Sequence, residues 1–336
     1  MPKRNIVVVG TSSGGVEALR TVVASLPADF QGSMFLVMHI GSGSLGLLPS
    51  ILARVSAVPV ISPSDGESVQ PGRVYVAPPD RHLLLEPGQV CLSKGPKENW
   101  FRPAIDPLFR SAALAYGPRV VGVVLTGELD DGSAGLWTIK QVGGVAVVQD
   151  PLDALFPSMP RNAIHYTSVD YKVPLVEIGP LLGHLTTKDV ELEGTLKMPE
   201  HLEIEVKIAK QDPAIEFDVR DLWEKSSYTC PECDGVLLKL KEGGLERYRC
   251  HTGHAYSTDT LLAAITEGVE ESLWSAIRQI EERVLLLRHI AKHLKDQDDD
   301  RATEFLRHAE KAEEQSRRVR EVVNQQEQSG LEGDTQ

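Results

Sequence analysis

Ile6-Val7-Val8-Val9-Gly10-Thr11-Ser12-Ser13-Gly14-Gly15-Val16-Glu17-Ala18 decides how the first half of the chain is read. Its β-branched apolar run suits a strand buried on both faces, and the Gly/Ser cluster that follows makes a tight turn. Ala18, Leu19, Val22, Val23 and Leu26 then form one apolar helical stripe, closed by Pro27. Continuous apolar runs recur at Met34–Met38, Val120–Leu125 and Val145–Val148. Strand and helix signals alternating in this way predict an α/β fold with a doubly wound, mostly parallel sheet. Leu83-Leu84-Leu85 and Val90-Cys91-Leu92 flank Glu86-Pro87-Gly88-Gln89, a type II turn sequence, and predict an inserted β-hairpin.

The 336 residues carry 35 basic and 48 acidic side chains, a net charge of −13. Such a surface repels nucleic acid and anionic lipid, so neither is an expected partner. No run approaches the roughly 18 apolar residues of a membrane helix, and the N-terminus has no signal-peptide pattern. Four cysteines, three of them within one short segment, do not make a secreted disulfide framework. A cytoplasmic protein is expected.

Composition divides the chain into an α/β domain over 1–186 and a linker over 187–229, in which alternating apolar residues at Leu202–Ile208 predict one strand. A Cys/His module over 230–256 follows, then a helical hairpin or coiled coil over 257–325 and a polar, disordered tail over 326–336. Ala302, Phe305, Ala309, Ala312, Ser316, Val319 and Val323 keep a 3-4 spacing. That seam suits either an antiparallel hairpin or a homodimer through these helices.

The first turn fits two templates. A dinucleotide-binding turn needs glycine where Ser12 stands and an acidic residue where the next strand ends in Met38-His39. The nucleotide reading is therefore the weaker. In the G-x-S-x-G template, a serine projects from a strand-to-helix turn. The carboxyl ends of parallel strands share one edge, which brings Ser12, His39 and Asp131 into one crevice. A serine hydroxyl needs an imidazole to take its proton and a carboxylate to orient that imidazole, and these three residues supply both. Taken singly, each is explained as a cap or a packed strand end; their coincidence on one edge favours catalysis. The N-terminus of the following helix adds N–H groups suited to a developing oxyanion.

Gly10–Ala18, Met38-His39, Asp65-Gly66, Pro71–Pro78, Arg102-Pro103 with Ile105-Asp106, Leu125-Thr126-Gly127 with Asp131-Gly132, and Met159-Pro160-Arg161 together resemble the catalytic domain of the chemotaxis protein-glutamate methylesterases (CheB). The resemblance covers roughly residues 4–186. It implies hydrolysis of γ-glutamyl methyl esters on chemoreceptor helices, often with deamidation of receptor glutamines. It also implies Ser12 as nucleophile, His39 as base and Asp131, rather than Asp130, as orienting acid. A stand-alone form is expected, without the phospho-receiver domain of well-known members, so a separate receiver or methyltransferase protein is an expected partner. Glu128 stands where the family usually has methionine, and a carboxylate near an oxyanion would oppose it. A receptor-binding adaptor of weak or no activity is the alternative this residue supports.

Cys230, Cys233, Cys250 and His254 have the spacing C-x2-C-x16-C-x3-H of a structural zinc site, with His251 as rival fourth ligand. Four protein ligands leave no position for water, so a zinc ribbon is expected and no cofactor for catalysis. On this reading chelation disturbs the tail and spares the chemistry.

Overall fold

The computed structural model describes residues 2–190, 200–211, 223–242, 244–295 and 298–333. It divides into two compact units, residues 1–261 and 262–336.

In the first unit, β1 (Ile6–Thr11), β2 (Ser33–Met38), β3 (Val60–Ile61), β4 (Arg73–Val76), β7 (Val120–Val124), β8 (Val145–Gln149) and β9 (Tyr171–Val173) form a seven-stranded sheet. Its order is β3-β4-β2-β1-β7-β8-β9 and every neighbouring pair is parallel. Helices α1 (Gly15–Ala24), α2 (Leu48–Ala53), α3 (Ile105–Tyr116), α4 (Ser133–Gln141), α5 (Ser158–Tyr166) and α6 (Leu175–Thr187) connect or flank the strands. Ile6 and Val8 of β1 pack with Phe109 of α3 and Leu136 of α4 in one core. Val7 and Val9 pack with Leu19 of α1 and Leu182 of α6 in the other. Both faces of β1 are thus dry, which is why its sequence lacks polar alternation. The chain leaves β1 toward β2 on one side and later returns as β7 on the other. The carboxyl ends of these three strands consequently border one crevice, where α/β sheets bind ligands.

The expected hairpin is present as β5 (His82–Glu86) and β6 (Gln89–Ser93), which pair antiparallel. Gly88 takes φ 83° at the turn position that favours glycine. Leu83, Leu85 and Val90 bury themselves in the α3 core.

The linker differs from expectation. Residues Glu200–Lys210 form a helix, α7, and not a strand. Its buried residues are Leu202, Ile204, Glu205, Val206 and Ala209, of which Leu202, Glu205, Val206 and Ala209 keep the 3-4 spacing of one helix face. Because one of them is a charged glutamate, only the period-two apolar alternation was visible. Linker residues 191–199 and 212–222 lie outside the described residues.

A four-stranded antiparallel sheet follows: β10 (Glu224–Thr229), β11 (Val236–Glu242), β12 (Leu245–Cys250) and β13 (Ala255–Ser257). Its first strand comes from sequence assigned to the linker. Backbone packing ties the sheet and α7 to the α/β layer. A Cβ on Gly95 would meet Ala209 O at 2.1 Å, and one on Gly253 would meet Pro96 Cγ at 2.5 Å.

The long helix α8 (Thr258–Leu294) starts in the first unit, and in the second unit its remainder and α9 (Asp299–Gly333) run antiparallel. Ile280, Val284 and Leu287 face Ala309 and Ala312, and Arg288 pairs with Glu313 at 2.8 Å. The alanine seam therefore closes within one chain. Helix α9 extends through residues 326–333, which sequence assigned to a disordered tail; residues 334–336 lie outside the described set.

Candidate active site

Ser12 follows β1 in the turn that ends at Gly14, whose left-handed φ of 75° starts α1 immediately afterwards. His39 follows β2, and its backbone N–H donates to Thr11 O at 3.2 Å, keeping it at the sheet edge. Asp131 precedes α4. His39 Nδ1 lies 3.2 Å from Ser12 Oγ, and His39 Nε2 lies 2.7 Å from Asp131 Oδ2. Asp131 accepts only when ionised, so Nε2 carries the proton and Nδ1 is free to accept from the serine hydroxyl. The three residues expected to converge form one hydrogen-bonded chain.

Asp131 is 2 % exposed. Burial pushes its carboxyl up, but His39, the Ile105 N–H and the Asn99 amide outweigh this and hold it below the ordinary range. Ile105 N donates to Oδ2 at 2.7 Å, Asn99 Nδ2 to Oδ1 at 2.9 Å and Gly132 N to Oδ1 at 2.9 Å. The His39 ring stacks on Phe101, with centroids 3.7 Å apart and planes 3° apart. Sequence reading missed both Asn99 and Phe101. Their only signal was position, just before the quoted Arg102-Pro103.

The other residues singled out fall into different roles. Asp130 does not face His39; its Oδ1 accepts from Ser257 Oγ at 2.6 Å. Burial pushes the Asp130 carboxyl up to about 7. Asp106 lies against Asp131 through its own N–H, and burial with the Asp131 charge pushes its carboxyl up to about 8. Glu128 is exposed, and its Oε2 accepts from Ser13 Oγ at 3.2 Å. Arg102 holds Asp80 and the carbonyls of Lys94 and Gly95, a structural duty. Gly127 must lack a side chain: its Cβ would stand 2.1 Å from Met159 Sδ and 2.9 Å from Ser12 Cβ.

A family model described as CheB methylesterase matches residues 7–182, just over half of the chain. The chain belongs to the CheB methylesterase family. A protein from Leptospira interrogans named putative protein-glutamate methylesterase/protein-glutamine glutaminase is 41% identical over 186 residues, 55% of this chain and 96% of that protein. A protein-glutamate methylesterase/protein-glutamine glutaminase from Pyrococcus horikoshii is 37% identical over 53% of this chain and 50% of its own length. The crystal structure of the Thermotoga maritima CheB methylesterase catalytic domain aligns with TM-score 0.52 and 34% identity. It covers 54% of this chain and 98% of that one. The CheB match ends within α6, so α7 and all that follows it lie beyond the part of the chain matched to the family.

Beyond the CheB segment, Cys230, Cys233, Cys250 and His254 bring their ligand atoms within 4.8 Å of one another. Cys233 Sγ and Cys250 Sγ are 3.7 Å apart, and His254 Nδ1 is 3.7 Å from Cys230 Sγ and 3.6 Å from Cys250 Sγ. A tetrahedral ion with metal–sulfur bonds of about 2.3 Å has edges of about 3.7 Å, so the donor set fits zinc. His251 is exposed and outside this set, with its ring against Gly235. Among the described residues, no helix is long and apolar enough to cross a membrane.

Proposed function

We propose that this CheB family member hydrolyses γ-glutamyl methyl esters on the cytoplasmic helices of methyl-accepting chemoreceptors, and deamidates receptor glutamines at the same site. The observation that carries the reading is the Ser12–His39–Asp131 hydrogen-bonded chain at the crevice of a methylesterase-family fold. Ser12 Oγ attacks the ester carbonyl carbon while His39 Nδ1 takes its proton. The tetrahedral oxyanion lies at the positive end of α1, where the helix dipole favours it. Collapse expels methanol, protonated by His39, and leaves a glutamyl-serine ester. Water, deprotonated by His39, then releases glutamate and restores Ser12.

Exposed leucines support a protein substrate. Leu45 and Leu47 follow β2, and Leu152 and Leu155 follow β8, with exposures of 85%, 57%, 92% and 75%. Leu155 reaches the nucleophile's turn, its Cδ2 3.3 Å from the position of a Cβ on Gly14. Apolar side chains so placed suit the face of a partner helix.

The chemistry draws on protein side chains alone. Cys230, Cys233, Cys250 and His254 are proposed to hold a structural zinc ion that stabilises the small β10–β13 sheet. The protein is proposed to be cytoplasmic. Its helical hairpin, where Leu285 and Leu286 are exposed, is the proposed surface for a separate receiver or methyltransferase protein, or for a second copy.

The deciding experiment measures methanol release from a methylated chemoreceptor cytoplasmic fragment of the same organism. Release that disappears in Ser12→Ala supports the reading. Release that persists in Ser12→Ala, or none from the folded, zinc-loaded wild type, ends it.

A further inference from the structure

The segment Glu98–Phe101 is a tight turn closed by Glu98 N to Phe101 O at 3.3 Å and Phe101 N to Glu98 O at 2.9 Å. Its two central residues, Asn99 and Trp100, take the left-handed φ values 48° and 74°. Such a backbone costs on the order of 1 kcal/mol per residue without glycine and persists only where its surroundings hold it. This turn touches both His39 and Asp131. Asn99 donates to Asp131, and Phe101 stacks on His39.

Arg110 of α3 holds Glu98 from within the CheB match, and the rest of the turn is held by residues C-terminal to that match. Asn99 N donates to Ala255 O at 2.8 Å, and Ala255 N to Lys97 O at 3.3 Å. Asn99 Oδ1 accepts from Ser257 N and from Thr260 Oγ1, each at 3.0 Å. Ser257 N can only donate, and the Asp131 carboxylate faces Nδ2 at 2.9 Å, with an Asp106 oxygen at 3.4 Å. A flipped carboxamide would set oxygen against carboxylate and NH2 against N–H, so the network fixes one orientation. Ser257 Oγ also donates to Asp130, the residue before Asp131. Arg249 of β12 donates to Glu98 Oε1 at 3.0 Å, anchoring the turn's first residue.

We infer that the Ser257–Thr260 corner, where β13 passes into α8, is a positioning element of the catalytic centre: it orients Asn99, and Asn99 orients Asp131. The C-terminal sheet thus completes the site that the α/β layer begins. Asn99 and Thr260 are both buried and act through Asp131. Their contribution is to keep Asp131, and through it His39, in the geometry that serves Ser12. This inference rests on the methylesterase reading for its kinetic arm only.

The test uses the full, zinc-loaded chain with Thr260→Val, which removes one donor to Asn99 and an acceptor of the Ser257 N–H while keeping the side chain's shape, together with Thr260→Ser and Asn99→Ala. Kinetics are read on the methylated receptor fragment, and the downfield proton NMR signal of His39 Nε2–H is read without substrate. Thr260→Val is expected to lower kcat about tenfold and Asn99→Ala about a hundredfold, the range of a hydrogen bond to a charged group, with KM nearly unchanged. Thr260→Ser recovers most of the loss. The His39 proton moves upfield and broadens in Thr260→Val and Asn99→Ala. Wild-type kcat and a wild-type His39 signal in Asn99→Ala overturn the inference. Should Thr260→Val shed its zinc, Asn99→Ala, which lies in the α/β layer, decides alone. Should the wild type release no methanol, the methylesterase reading falls, and the His39 signal in the same variants still decides this one.

Discussion

Glu128 Oε2 accepts a hydrogen bond from Ser13 Oγ across 3.2 Å, which sets a carboxylate beside the residue that follows the proposed nucleophile. Negative charge there opposes the oxyanion formed when Ser12 attacks. Because Glu128 is exposed, water screens most of that opposition. Glu128→Met is therefore expected to raise kcat by no more than about fivefold, the upper end for an exposed charge. Glu128→Gln is expected to match it. Steady-state methanol release at low and high salt checks this, the gain shrinking as salt rises.

Glu98 and Glu205 are each 1 % exposed and lie among Arg110, Arg247 and Arg249. Burial pushes both carboxyls up, but the three guanidinium groups more than offset this and hold them below the ordinary range. Glu205→Gln strands buried positive charge and is expected to cost about 3 kcal/mol of stability at neutral pH. A carboxyl depressed in the folded state contributes stability above its unfolded pKa, and that contribution disappears as pH falls through the folded value. Wild-type stability in urea is accordingly expected to drop below about pH 4.5, with a shallower drop in Glu205→Gln.

Asp130 acts in the opposite sense. Its folded carboxyl, pushed up to about 7 by burial, binds a proton more tightly than the unfolded chain does. Stability from this group is complete below the unfolded value near 3.8 and declines as pH rises through about 7. Asp130→Asn keeps an acceptor for Ser257 and removes the titration. Urea melts between about pH 5 and about pH 8 are expected to fall less steeply in the variant than in the wild type.

Zinc content separates the two histidines. His254→Ala is expected to weaken zinc binding at least about tenfold, and His251→Ala to leave it near wild type. Cobalt substitution followed by its tetrahedral absorption checks both. If the Ser257–Thr260 corner orients Asn99, chelation also lowers ester hydrolysis, and added zinc restores it. That outcome would replace the expectation that chemistry survives metal removal.

The α/β layer was legible because its strands are dry on both faces, so continuous runs such as Ile6–Val9 declare themselves. The convergence of Ser12, His39 and Asp131 followed from strand order, since turns at the carboxyl ends of neighbouring parallel strands must meet. Helix α7 was misread for a physical reason: its buried face includes Glu205, satisfied by arginines distant in sequence. Asn99 was invisible for the same reason. Its hydrogen-bond partners, Asp131 on one side and the Ser257–Thr260 corner on the other, come from two distant places along the chain, and no local pattern announces them. The apolar seam of α9 was readable from its 3-4 spacing, whereas its partner was not, because the same spacing serves a second chain as well as the α8 residues Ile280, Val284 and Leu287 that it meets.

The ionic cluster shared by α3, α7 and β12 bears on how the chain's parts can be exchanged. Arg110 and Glu98 lie in the stretch common to the family, while Glu205, Arg247 and Arg249 lie outside it. A chimera that joins this α/β layer to a different C-terminal segment removes Glu205 from beside Arg110, and Arg247 and Arg249 from beside Glu98, and is expected to be stable only where the new segment replaces those charges.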